Sequence, residues 1–533
     1  MGRRHSMTPY LFFCRAHRGL SRGLALLLLA TILASPVSPV ALGRTVGAES
    51  AAVSAPAGVA AGAAATGNGN RPAAKGGSPA SDPSGKVDIA KPASSKPASR
   101  GEWVIEQIAA RNSTMPPARR ADKYAQMGDS LMSFFRATNY LFWSDYARSP
   151  LLRDFGGSKA TRIWLHGDCH VENISAITTH TDDIVYGLDD FDDAVIGDYQ
   201  LDLWRLSTSL ILLLRERGGF TGSDEVNILN ALSGSYLATL ASVRDNNNEL
   251  TRTFTASNTP SPLSDFLVET KRKAGRLRML DKLTSKASGR RIFDFYHPDI
   301  LPVEAPVAAA ISAGLPDYVT GLPASLRSKP GYFTVKSVAQ RLRGGMGSLG
   351  MARYYVLIEG PTASEDDDRV LDLKAQATPA PWPFVDLDVR NQILAATNGD
   401  QALRTVLAAR ALASQPDDHL GTLLLFGTRF SVRERTPARG TLDVNELSSP
   451  TRVLKMAEVW GAVLAIAHAR ADRDTSASLV PYNFEDELLL RVGSNGENFR
   501  ARVRQVALSY AQQVAADHAA FSRAMLKKTA SRE

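Results

Sequence analysis

Cysteine is nearly absent from this chain. Its 533 residues include only Cys14 and Cys169, too few for a disulfide framework. If the N-terminus is removed, Cys169 alone remains and the mature chain makes no internal disulfide. Acidic residues are missing from residues 1–44, which hold six arginines. The apolar run Leu24–Ala34 has eleven residues, short of the about twenty that span a membrane. The formal charge of +8 is unevenly placed: +6 lies in residues 1–44 and +3 in residues 45–100, leaving −1 for residues 101–533. The basic character therefore belongs to the N-terminal tail, which argues against a nucleic-acid binder.

What the N-terminus does contain is ordered like an export signal. Residues 3–22 carry five arginines, the apolar run follows, and then comes ASPVSPVALG. That is a basic region, an apolar region and a small-residue exit. Met7 is an alternative start. Cleavage after Ala34, Ala41 or Gly43 fits a secreted or periplasmic protein. Extended to Leu42, the same run is an uncleaved anchor in the inner membrane, the one way in which a membrane becomes a partner. No cysteine follows it, which disfavours a lipoprotein. Residues 44–101 are rich in Ala, Gly, Ser and Pro. They cannot bury enough apolar surface to offset chain entropy, so a disordered linker is expected, with folded structure from about Glu102.

The densest chemistry lies in Trp164–Leu203, WLHGDCHVENISAITTHTDDIVYGLDDFDDAVIGDYQLDL. One strand-like run, Thr161–Leu165, ends in His166-Gly167-Asp168-Cys169-His170-Val171-Glu172-Asn173. A second, Ile184–Leu188, ends in Asp189-Asp190-Phe191-Asp192-Asp193. The pattern predicts a hairpin-like support with carboxylates at its mouth. A core needs no such groups there; metal-assisted phosphate chemistry does. Asn173 follows Asp168 by five residues, and Asp190 follows Asn173 by seventeen. A loop of solvated acids is the plain alternative. His166, Asp168 and His170 are also a candidate metallohydrolase set, although no second histidine cluster of fitting spacing follows.

The stretch resembles the kinase-like phosphotransferases of the aminoglycoside and choline kinase type, whose pattern reads HGDxHxxN and then a [I/L]D[F/W]-[D/E] block. The resemblance implies Asp168 as catalytic base, flanked by His166 and His170. It implies Asn173 and Asp190 as magnesium ligands, with Asp192 a further one, and Asp202 as a brace for the loop.

Elsewhere, residues 119–148 read as an amphipathic helix or helix pair, with Tyr124, Met127, Leu131, Phe134, Phe135, Thr138, Leu141 and Phe142 recurring at steps of three and four. Leu203–Arg215 reads as a buried helix. Thr334–Leu342 and Met351–Glu359 read as strands around Gly345-x-Gly347-Ser348-x-Gly350. Strands on both sides disfavour a dinucleotide turn and favour a Gly-rich hairpin over phosphates. Arg369–Ala375 alternates: Val370, Asp372 and Lys374 face one way, Leu371, Leu373 and Ala375 the other. A helix (Gly399–Ser414) and strands at Leu423–Phe426 and Arg429–Arg435 follow. Ser449-Pro450 opens a helix to Ala471, in which His468 reads as structural, and residues 497–527 read as a last helix.

Hairpin, lysine strand, helix and two strands form the order of a kinase small lobe, yet they come about two hundred residues after Asp168. The expected fold is therefore α+β, a protein-kinase-like two-lobed fold that is circularly permuted and preceded by a signal peptide and linker. Residues 102–330 would supply the mainly helical large-lobe elements, 331–447 the small lobe, and 448–533 the helices completing the large lobe. Termini often lie close together, which makes permutation physically easy.

This arrangement resembles the bacterial domain-of-unknown-function family 2252 from about Arg119 to Phe521. The carriers are KYAQMGDSLMSFFRA, WLHGDCHVEN, LDDFDDAVIGDYQLDLWRL, RLRGGMGSLGMARYYVLIEG, LDLKAQ, FSVRERTP, AIAHARA and YAQQVAADHAAF. The chain departs from the pattern at Ala137 and Ala375, where the family has Gly and Glu. No Glu occurs in Leu403–Ala413, where one is expected near Ala408; Asp372, Asp400 or Glu434 are substitutes. The implied activity is ATP- and magnesium-dependent phosphate transfer to a hydroxyl-bearing small molecule or protein. ATP would lie between Gly345–Gly350, Lys374 and the Asn173/Asp190 pair. Export removes a protein from the compartment rich in ATP, which leaves an exported pseudokinase that binds without turnover as the second reading and a metal-dependent hydrolase as the third.

Overall fold

The computed structural model describes residues 99–273, 275–287, 289–342, 351–443 and 446–530. The signal and anchor readings lie outside these residues, as do Gly345, Gly347, Ser348, Gly350 and the linker reading up to residue 98; its last residues, 99–101, open the first helix. The fold class is α+β, as expected: many helices and antiparallel sheets.

The first described helix, Arg100–Arg111, starts on a Ser99 cap whose hydroxyl accepts from the Glu102 amide. Capping satisfies a helix donor that otherwise has no partner. Arg100 then clamps Asp145 and Asp517 at 2.6 and 2.9 Å, joining the start of the described chain to the 35-residue helix Gly496–Ala530 near its end. The helix or helix pair expected over 119–148 is three helices, Pro117–Asp129, Leu131–Ala137 and Asn139–Tyr146. Ser130 adopts an extended conformation and caps the second piece, so the apolar stripe persists while the axis turns.

Four short strands follow: β1 (Arg162–Leu165), β2 (Ile174–Thr178), β3 (Ile184–Leu188) and β4 (Val195–Asp198). β1 and β3 are not partners. β1 pairs with β4, and β2 pairs with β3. The two acidic loops thus leave two separate ribbons, a correction to the single hairpin. Behind them, Gln200–Arg217, Gly222–Val243, Pro450–Arg470 and the last helix enclose the larger core, with Trp164, Trp204 and Trp460 buried in it. Gly461 lets two of these helices touch: a Cβ there would strike the Leu232 carbonyl.

The second body is a six-stranded antiparallel sheet. After the small β5–β6 ribbon (Thr284–Ala287, Arg290–Phe293), its strands are β7 (Ile300–Pro302), β8 (Val335–Arg341), β9 (Arg353–Ile358), β10 (Arg369–Ala375), β11 (Gly421–Leu425) and β12 (Thr428–Glu434), in spatial order β11-β12-β10-β9-β8-β7. Leu371 and Leu373 pack with Ile311, Leu315 and Tyr318 of the helix Ala305–Thr320. Val370 packs on the opposite face with Tyr355, Leu357, Met279 and Leu280. The helices Arg276–Leu283 and Ala305–Thr320 thus pack on the two faces of the sheet. Their apolar side chains cover the two faces that β9 and β10 must bury. β13 (Arg439–Gly440) returns to pair with β2.

Candidate functional site

The His166–Asn173 loop is held from beneath. The Asp202 carboxylate, on the first turn of Gln200–Arg217, accepts the amides of His166 and Gly167 at 2.6 and 3.1 Å. His468 Nε2 stands 3.5 Å from Asp202, and Tyr236 meets His468 Nδ1 at 2.8 Å. Gly167 has φ +79°, and a Cβ would overlap the Asp193 carbonyl. Glycine alone tolerates both demands. Its own carbonyl accepts from Asn139 and Trp143 at 2.9 and 2.8 Å.

His166 is fully buried, and both of its ring nitrogens are engaged by main chain. Nε2 meets the Asp189 carbonyl at 2.8 Å and Nδ1 accepts the Asp168 amide at 3.3 Å. In this arrangement it is a strut between the two acidic loops. His170 is also buried, with Nε2 3.8 Å from Asp168 Oδ2 and Nδ1 without a protein partner. Burial, reinforced by the charges of Arg136 and Arg205, pushes its pKa well below the usual histidine value. Neutral imidazole is therefore the form present at pH 7.

Asp168 points into a cleft, and its carboxylate is fixed by Arg205, whose Nε lies 2.7 Å from Oδ1. Arg205 is fully buried and stacks 4.0 Å from the Phe135 ring centre. The Asn173 amide donates to the Asp168 carbonyl at 3.0 Å, which leaves its oxygen as the atom able to bind a metal.

The second acidic loop begins with Asp189, buried between Arg433 at 2.9 Å and Arg439 at 2.6 Å. It accepts the Asp190 amide at 2.8 Å. Asp190 takes φ +69°, a conformation few non-glycine residues adopt, and its side chain is about half exposed. Lys374 reaches down from β10 to lie 3.6 Å from Asp190 and in an ion pair with Asp192. Gln376 donates to Asp192 at 3.0 Å. Burial pushes the Asp192 carboxyl up, but the Lys374 charge and hydrogen bonds outweigh it and hold the pKa at about 2. Asp193 accepts from Ala380 and Asn139 at 2.7 and 3.0 Å. Burial, with the Asp168 charge, raises its pKa.

The site thus gathers Asp168, His170, Asn173, Asp190, Asp192 and Lys374 from two bodies, with His166 as framework. Sequence reasoning missed four residues that fix it: Arg205, Gln376, Arg404 and Arg433. Arg404 lies on Gln401–Leu412, the helix expected to carry a glutamate. It is fully buried and donates to the carbonyls of Ala194 and Asp192. Ala408 is buried. None of the three substitute carboxylates pairs with Lys374: Asp372 pairs with Arg353, Asp400 caps its own helix, and Glu434 pairs with Arg276. The three arginines were signalled only by an excess of buried acids requiring counter-charge.

Two cavities meet at this wall. One of about 120 Å³ is floored by Val406 and Ala409 and roofed by Val432. The other, of about 220 Å³, opens onto Asp168, His170 and Asn173. Asp190, Asp192 and Gln376 line both.

The sequence profile of the uncharacterised proteins conserved in bacteria (DUF2252) matches residues 116–524. The chain belongs to this family. No curated protein and no solved structure matches it. The DUF2252 match runs from the helix Pro117–Asp129 into the last helix and includes Asp168, His170, Asn173, Asp190, Asp192 and Lys374.

Proposed function

We propose that this DUF2252 protein is an ATP- and magnesium-dependent phosphotransferase with a circularly permuted kinase-like fold. One observation carries the reading: the β10 lysine, Lys374, meets the Asp190–Asp192 turn between two cavities, with Asp168 and Asn173 facing one of them. The apolar cavity suits a nucleobase. Lys374 and the glycine-rich segment suit its phosphates. A magnesium ion held by Asn173, Asp190 and Asp192 would neutralise charge on the phosphates. The acceptor hydroxyl attacks the γ-phosphorus, the bond to the β–γ bridging oxygen breaks, and ADP leaves. The hydroxyl proton passes to the Asp168 carboxylate. Arg205 keeps that carboxylate aimed, so positioning supplies most of the rate.

A binding module without turnover is the second reading, favoured by the alanine at 408 and by the direct pairing of Lys374 with Asp192. A zinc hydrolase draws no support from the site, since both nitrogens of His166 are committed to main chain. The deciding experiment is thermal unfolding of the full chain with and without ATP and magnesium, beside Asp190→Ala. A magnesium-dependent rise in Tm that the variant loses supports the nucleotide site. No shift in the wild type rejects it.

A further inference from the structure

Three cations, Arg111, Lys123 and Arg136, line the larger cavity beside the carboxylates of Asp168, Asp190, Asp192 and Asp193. Arg111 and Lys123 line it together with Tyr140. Lys123 Nζ donates to Asn112 at 3.0 Å, and Arg111 stacks 5.6 Å from the Tyr140 ring centre. Arg111 is exposed and Lys123 half-buried, and no ion pair joins either to a carboxylate among the described residues. Burial, and then the charge of Arg111, push the Lys123 pKa below its usual value. The Tyr140 hydroxyl is buried and has no hydrogen-bond partner. Buried polar groups are normally satisfied, and two like charges facing one cavity repel. An anion with acceptor oxygens answers all three at once.

Resting on the phosphotransferase reading, we infer that the acceptor is a small hydroxyl compound that already carries a phosphate-like anionic group. Its anion is held by Arg111, Lys123 and the Tyr140 hydroxyl, and its reacting hydroxyl lies toward Asp168. The cavity opens on both sets of residues. Arg136, the remaining cation of the wall, is paired with Glu172 and serves the rim. In this reading the nucleotide phosphates lie on Lys374, which lines the smaller cavity and not this one, so the two anionic groups use different cations.

The test uses the full chain, calorimetric titration, and three probes: glycerol 3-phosphate, inorganic phosphate and glycerol. Glycerol 3-phosphate should bind, inorganic phosphate should compete with it, and glycerol should not bind. Arg111→Gln and Lys123→Gln should each weaken glycerol 3-phosphate tenfold or more. Tyr140→Phe, which removes only a hydroxyl, should weaken it about threefold, and Asp190→Ala should leave it in place. The ATP–magnesium rise in Tm should persist in Arg111→Gln and Lys123→Gln, which also shows that they fold. Binding of glycerol as tight as that of its phosphate overturns the inference, as does unchanged anion affinity in the doubly substituted chain. Loss of the ATP shift together with anion binding also overturns it, because the cations would then belong to the nucleotide. An anion site without any ATP shift in the wild type rejects the phosphotransferase reading and the acceptor assignment with it. An ATP shift without anion binding rejects the acceptor assignment alone.

Discussion

Lys374 and Asp192 form an ion pair although 182 residues separate them in the chain. The pair joins the six-stranded sheet to the acidic turn after β3, and it sets a pH dependence. The Asp192 pKa falls from 3.8 to about 2 in the folded state. A depressed carboxyl pKa stabilises the fold above the unfolded value, and that stability is lost as pH falls from about 4 toward 2. Lys374→Met should therefore cost about 1–2 kcal/mol at pH 7, discounted for the partial exposure of the pair. It should also flatten the acid limb of stability in that window. Urea titrations at pH 7 and pH 3 check this; an equal loss at both would point to packing rather than charge.

Asp202 carries the His166 and Gly167 amides from beneath. Asp202→Ala leaves two buried donors unpaired and should destabilise the chain by about 2–4 kcal/mol. Asp202→Asn keeps one oxygen acceptor and should cost less. Chemical denaturation of both variants ranks them, and the reverse ranking would refute the brace.

Asp168→Asn removes the proposed base while keeping the side-chain volume. Phosphate transfer should fall about 10²–10⁴-fold, with the ATP–magnesium rise in Tm retained. Turnover equal to the wild type would assign the proton to another group.

Glu249 shows the opposite sign of linkage. Its carboxyl oxygens are buried. Burial first, then the charges of Glu485 and Asp474, raise its pKa from 4.5 to about 7. A raised carboxyl pKa means the folded state holds a proton the unfolded state has lost, so stability falls as pH rises from about 4.5 to 7. Glu249→Gln should stabilise the chain at pH 8 by about 1–3 kcal/mol and change little at pH 4. Thermal scans at the two values measure it.

Local elements were legible where their pattern is local. β10 has the bounds read from its alternation, and the Ser449 cap opens Pro450–Arg470 as its sequence suggested. Partner choice was not legible. β1 and β3 each have apolar faces that many strands could cover, and only the complete fold selects β4 and β2. The helix Ala305–Thr320 has no reading in the sequence, where Pro316 interrupts its pattern and nothing in its spacing tells which core it joins. Leu387–Thr397 was passed over because its sequence has a weak apolar stripe and lies beside a proline-rich turn. In the site, the acidic residues were legible because they cluster within Asp168–Asp193. Lys374 apart, the cations that fix them were not, because Arg205, Arg404 and Arg433 come from three distant segments.

That distance orders the birth of the site. Asp189 is synthesised 244 residues before Arg433, which neutralises it. A chain growing from its N-terminus therefore carries the acidic turn, without its counter-charges, through nearly half its length. The turn cannot settle into its buried position until the sheet emerges. The last helix, whose Asp517 meets Arg100, closes the helical body later still. A ribosome-stalled fragment ending before β12 should therefore hold the Asp189–Asp193 turn open to solvent.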